Sequence, residues 1–115
     1  MDRGFWEILD EMLNECEIVI DRPAGSRHPK HESIVYPLDY GYLRGTRSMD
    51  GSGIDIWLGS QTERKIDAVI CTADRLKKDS EIKLLIGCTV QETEIICRFH
   101  NESPFMKGML IRRNA

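Results

Sequence analysis

A succession of short extended runs, each stopped within a few residues by proline, glycine or a polar turn, leaves this chain few folds to choose from. Glu17 to Asp21 reads Glu-Ile-Val-Ile-Asp and ends at Arg22-Pro23-Ala24-Gly25-Ser26, where proline and glycine stop regular pairing. Ile34-Val35-Tyr36-Pro37 and Tyr40-Gly41-Tyr42-Leu43 are two further extended pieces, divided at Pro37. The turn residues Asp50-Gly51-Ser52-Gly53 lead into Ile54-Asp55-Ile56-Trp57-Leu58. Lys65 to Cys71 and Glu81 to Ile86 read as strands, and Met109-Leu110-Ile111 as a short last one. Runs of this length are stable only when several share a sheet.

Two segments depart from that rhythm. Phe5, Ile8, Leu9, Met12 and Leu13 recur at helical spacing, with Glu7, Asp10 and Glu11 opposite them, which makes an amphipathic helix that Asp2 is placed to cap. Thr89 followed by Glu92 is a capping box; it opens a second helix striped by Ile95, Ile96 and Phe99. Arg27 to Glu32 is polar and reads as a loop. The chain has 115 residues and no linker or repeat, so residues 1–115 form one domain. The expected class is α+β, mainly β: about five strands closed as a small barrel, with an N-terminal and a C-terminal helix.

Composition narrows the setting. An apolar fraction of 41% and a charged fraction of 30% are too apolar for disorder and too charged for a membrane protein. Met1-Asp2-Arg3-Gly4 lacks the basic start and apolar core of a signal peptide, so a soluble, cytoplasmic protein is expected. The net charge of −3 speaks against a duplex-DNA binder. Cations beside Tyr36, Tyr40 and Tyr42 have the chemistry of a single-strand nucleic-acid module, but carboxylates interleave with them and no nucleic-acid partner is expected. Cys16, Cys71, Cys88 and Cys97 form no Cys-x-x-Cys pair, and the last three sit in apolar runs; they read as buried reduced thiols.

Three polar clusters combine carboxylates with cations. In the first, Asp21 to Glu32, Lys30 and Glu32 are two apart and face the same way in an extended segment. In the second, Asp50 to Asp55, glycines allow a tight turn and Asp55 opposes the apolar side chains of Ile54 and Ile56. In the third, Glu81 and Lys83 share a face. Convergent carboxylates suit Mg²⁺, and lysines beside them suit a polyanion, which together describe phosphoryl chemistry. Taken singly, each cluster reads more readily as a solvated turn or edge than as a site.

The order of these motifs resembles the soluble, Mg²⁺-dependent inorganic pyrophosphatases of family I over roughly residues 16 to 88. Asp21 stands where that family has its first acidic residue, with Pro23 after it; Lys30 and Glu32 match its Lys-x-Glu. Tyr36-Pro37-Leu38-Asp39-Tyr40-Gly41 matches its tyrosine motif, Asp50-Gly51 and Asp55 match the ends of Asp-Gly-Asp-Pro-x-Asp, and Glu81-Ile82-Lys83 resembles Asp-x-Lys. The resemblance implies Asp50, Asp55 and Glu81 as Mg²⁺ ligands, with Glu32 and Asp21 holding metal through water or shaping the rim. It implies Lys30, Tyr40 and Lys83 on phosphate oxygens, Asp50, Asp55 and Tyr40 as the catalytic set, and attack of a metal-activated water on pyrophosphate. It also implies self-association, for which Trp6 and Trp57 are candidate interface residues.

The chain departs from that pattern in places that matter. Ser52 replaces the central aspartate, and serine accepts no proton near neutral pH. Gly53 replaces the proline. The hairpin that carries a phosphate-binding arginine between the Lys-x-Glu and tyrosine motifs is missing, and Ser103-Pro104 occupies the neighbourhood of the family's Tyr-Lys pair. The alternative these departures open is a pyrophosphatase-like protein that binds a phosphorylated ligand without hydrolysing it.

Overall fold

The computed structural model describes residues 4–114; Asp2, the expected helix cap, lies outside the described residues. Helix α1 (Phe5–Glu15) begins with the Gly4 N–H donating to Glu7 Oε1 at 3.0 Å. It stops where Cys16 takes an extended backbone and feeds β1 (Glu17–Arg22) directly. Strands β2 (Asp39–Arg44), β3 (Ile54–Leu58), β4 (Ile66–Asp74) and β5 (Asp79–Ile86) follow, then helix α2 (Val90–Phe99) and β6 (Met106–Arg112). No helix among the described residues is long and apolar enough to cross a membrane.

The strands form one mixed sheet in the order β1-β2-β3-β5-β4-β6. All neighbours are antiparallel except β3 and β5, which run parallel with Ile56 opposite Leu84. The sheet does not close. Its two ends, β1 and β6, do not pair with each other, so the expected barrel is corrected to an open sheet. The sheet has six strands where about five were expected, and the last one, Met106–Arg112, extends well beyond Met109–Ile111 to pair with β4 from Ala68 to Asp74.

Both faces of the sheet are covered at its centre, and the strand period decides which residue goes where. Ile56, Val69 and Leu84 point toward α1 and pack with Leu9, Leu43, Ile66 and Ile86. Their chain neighbours Trp57, Ile70 and Leu85 point the other way and pack with Ile96, Cys88 and Tyr36 beneath α2. Two buried faces explain why Ala68–Cys71 in β4 and Leu84–Ile86 in β5 are continuous apolar runs, while the first half of β5 alternates. A bulge between Ile66 and Ala68 lets these two residues serve opposite faces.

The extended piece expected at Ile34–Pro37 is not a strand of the sheet. The segment from residue 25 to 36 folds back on itself as a tongue: the Gly25 N–H donates to the Tyr36 carbonyl at 2.8 Å, and the Tyr36 N–H to the Ser26 carbonyl at 3.0 Å. Arg27 and Val35 make an isolated bridge there. Its β-branched residues pair locally because Pro23 and Pro37, at the tongue's two ends, keep it out of the ladder. Gly41 sits where a Cβ would lie 1.8 Å from the Val19 carbonyl oxygen, so only glycine lets β1 approach β2. Trp57, a candidate interface residue by sequence, is fully buried and unavailable for that role. All four cysteines are free, although only Cys88 is fully buried.

Candidate functional site

The same period that builds the core builds the site. Tyr40, Asp55, Glu81 and Lys83 lie on the face of the sheet that carries Trp57 and Leu85: Tyr40 is opposite Trp57, Asp55 is two residues before it, and Lys83 and Glu81 are two and four residues before Leu85. Helix α2 covers the apolar end of this face. The polar end opens into a cleft of about 1490 Å³, walled on its far side by the tongue.

Lys83 is the hub. The parallel register of β3 and β5 brings it beside Asp55, and its Nζ donates to Asp55 Oδ2 at 2.8 Å, Tyr40 Oη at 3.0 Å and Glu81 Oε2 at 3.0 Å. That is the full complement of N–H donors an ammonium carries. The Tyr40 hydroxyl in turn donates to Asp55 Oδ2 at 2.7 Å. Burial pulls the Lys83 pKa down, but Tyr40 and Asp55 more than reverse this and hold it above its ordinary value. Burial raises the Tyr40 pKa, and Asp55 adds to the effect against Lys83. The phenol is therefore a fixed donor rather than a base.

Asp50 stands at the cleft edge in a self-capped turn. The Ser48 hydroxyl and the Ser52 N–H donate to its Oδ1 at 2.7 and 2.9 Å, which lowers its pKa, and Glu81 also acts on it. On the opposite wall, Arg22 bonds the Tyr36 hydroxyl and the His28 and His31 rings stand 5.0 Å apart. Burial and the nearby Arg22 lower the His28 pKa.

Of the residues singled out from sequence, the fold brings Asp21, Lys30, Tyr40, Asp50, Asp55, Glu81 and Lys83 to this one cleft. Glu32 is not brought there: it is exposed at the end of the tongue, where its carbonyl accepts from the Arg27 guanidinium at 2.8 Å. Arg98 and His100 are among the lining residues that escaped the sequence reading. Arg98 reaches the cleft from α2 with no ion pair among the described residues; a lone arginine beside an apolar stripe gives no signal. His100, at the end of α2, accepts from Trp57 Nε1 through its Nε2 at 3.1 Å. The ring proton therefore sits on Nδ1, which has no partner among the described residues. Burial, helped by the Lys83 charge, lowers the His100 pKa to about 3, so the ring is neutral at physiological pH.

Among the described residues no group of three or more His, Cys, Asp or Glu side chains is arranged around a metal position. Those residues thus build no closed cage, and Asp55 and Glu81 each already bond Lys83 through one carboxylate oxygen. Mg²⁺ that arrives with phosphate asks for less: one or two carboxylates, the remaining positions going to water and phosphate oxygens. Asp50 and Glu81, on the same wall, fit that smaller requirement. No protein-family model matches this chain, and no curated protein matches its sequence.

Proposed function

We propose that the cleft binds pyrophosphate together with Mg²⁺ and hydrolyses it to two phosphates. The supporting observation is convergence: acidic and basic residues from four separate stretches, Asp21 and Lys30, Tyr40, Asp50 and Asp55, and Glu81 and Lys83, line one cavity. Asp50, Asp55 and Glu81 stand with Lys83 on the sheet side, while Arg22 at the end of β1, Lys30 on the tongue and Arg98 on α2 supply further cations around the cavity. A divalent ion on the carboxylates supplies charge neutralisation and a more acidic water. The cations around it hold the phosphate oxygens by charge-assisted hydrogen bonds. Four free cysteines suit a reducing, cytoplasmic setting, and Met109 and Ile111, exposed on the β6 edge, suit association of copies.

The test is phosphate release from pyrophosphate with Mg²⁺ or Mn²⁺. Turnover that needs the ion and falls at least ~10²-fold in Asp55→Asn is expected; no release at high protein concentration overturns it. A second reading, binding without turnover, draws on Ser52, whose backbone N–H and carbonyl are both taken up by the turn and whose side chain supplies no base. Under it, calorimetry detects magnesium pyrophosphate binding at background turnover, and Ser52→Asp restores hydrolysis by ~10²-fold or more.

A further inference from the structure

A second hollow, of about 820 Å³, opens beside the cleft and shares Asp50, Asp74, Asp79 and Phe105 with it. Its apolar part is poorly covered by the chain itself: Phe105 is 49% exposed and Met49 85% exposed. The ledge is nonetheless fixed, because the Arg75 N–H donates to the Phe105 carbonyl at 2.8 Å and ties the β4–β5 turn to the turn before β6.

Charge distinguishes this hollow from the cleft. Its carboxylates Asp50, Asp74 and Asp79 are matched by Arg75, Lys78 and Lys107, whereas carboxylates outnumber cations around the cleft, an excess that Mg²⁺ arriving with a diphosphate offsets. Inorganic pyrophosphate also has no apolar surface to place against Phe105 and Met49. An uncharged aromatic group with hydrogen-bonding edges, joined to a diphosphate in the cleft, uses every part of the hollow: the ring stacks on Phe105, and its N–H or hydroxyl groups donate to Asp79. We propose that the diphosphate taken by the cleft is that of a nucleoside diphosphate, with the base on Phe105 and Met49. This rests on the reading that the cleft binds a diphosphate.

The experiment is calorimetry in Mg²⁺ with two ligands that share an uncleavable P–C–P bridge, methylenediphosphonate and adenosine 5′-(α,β-methylene)diphosphate. The nucleoside ligand is expected to bind at least about tenfold tighter, the scale of one stacked base. Met49→Ser, at a position that lines the hollow and not the cleft and is too exposed to matter for folding, should reduce that advantage and leave methylenediphosphonate binding unchanged; Phe105→Ala should erase it. Equal affinities in the unaltered protein, or an advantage that survives both substitutions, overturn the proposal while leaving the cleft's diphosphate reading intact. Binding of neither ligand overturns both.

Discussion

Removing the Lys83 ammonium leaves Asp55 and Glu81 on a buried wall with no counter-charge. The Lys83 side chain is 7% exposed, Glu81 15% and Asp55 29%. Breaking a buried pair from one side costs about 3–5 kcal/mol, and the partial opening of Asp55 to water puts Lys83→Met near the low end, at about 3 kcal/mol. Urea denaturation at pH 7 measures it. A loss under about 1 kcal/mol would match an exposed pair and contradict the network. Because the folded-state pKa of Lys83 is raised, its contribution is complete below the unfolded value of 10.5 and is lost only as pH climbs past the folded one.

His100 works in the opposite sense. Its folded pKa of about 3 lies below the ordinary 6.5, so the unfolded chain takes up the proton first as pH falls. Its stability contribution is therefore complete above pH 6.5 and is lost progressively toward pH 3, by up to ~1.4 kcal/mol per pH unit. Urea midpoints between pH 7 and pH 4 should fall more steeply for the unaltered protein than for His100→Gln. Parallel slopes would mean that the ring is not held neutral. Sequence could not expose this residue, because its state depends on Trp57, 43 positions away. Lys83 was legible as sharing a face with Glu81, but not as bound to Asp55.

At the scale of elements, Glu92 does two things at once. It closes the α2 capping box, accepting from the Thr89 N–H at 2.9 Å while the Thr89 hydroxyl accepts from the Glu92 N–H at 3.1 Å. It also accepts from the Ser60 N–H at 3.2 Å, pinning the connection after β3 to the helix start. Thr89→Ala should cost about 1 kcal/mol, the usual worth of a cap. Glu92→Ala should cost visibly more in the same denaturation experiment, since two separate backbone segments lose their acceptor. Equal losses would show that the Ser60 contact adds nothing. The capping box was plain in the sequence because a cap is local chemistry, and so were most strands. The open sheet was not. Periodicity assigns a residue to a face, but the placement of β5 between β3 and β4, and the failure of β1 to meet β6, are settled by pairings distant in sequence. The tongue was misread for a related reason: Ile34, Val35 and Tyr36 have strand chemistry, and only the prolines at its two ends decide that they pair with residues 25–28 instead of with the sheet.

Across the whole molecule, stability and function occupy different regions. The middle strands β3, β5 and β4 carry the fully buried Ile56, Trp57, Ile70, Leu84 and Leu85, whereas the tongue holds few buried residues besides Tyr36 and supplies one wall of the cleft. Amide hydrogen exchange should separate the two. Protons of β3, β5 and β4 should exchange only through global unfolding, and those of residues 25–34 through local opening with much lower protection. Magnesium pyrophosphate then provides the decisive comparison. A ligand that only binds the folded state raises global stability by mass action, and this slows the middle strands while leaving local opening of the tongue as it was. A ligand held between the sheet wall and the tongue must also suppress the tongue's own opening, because Lys30 is on it. Saturating ligand should therefore slow exchange at residues 25–34 by about tenfold or more, over and above any change in β3. Slowing confined to the middle strands would place the ligand away from the tongue and remove Lys30 from the binding set.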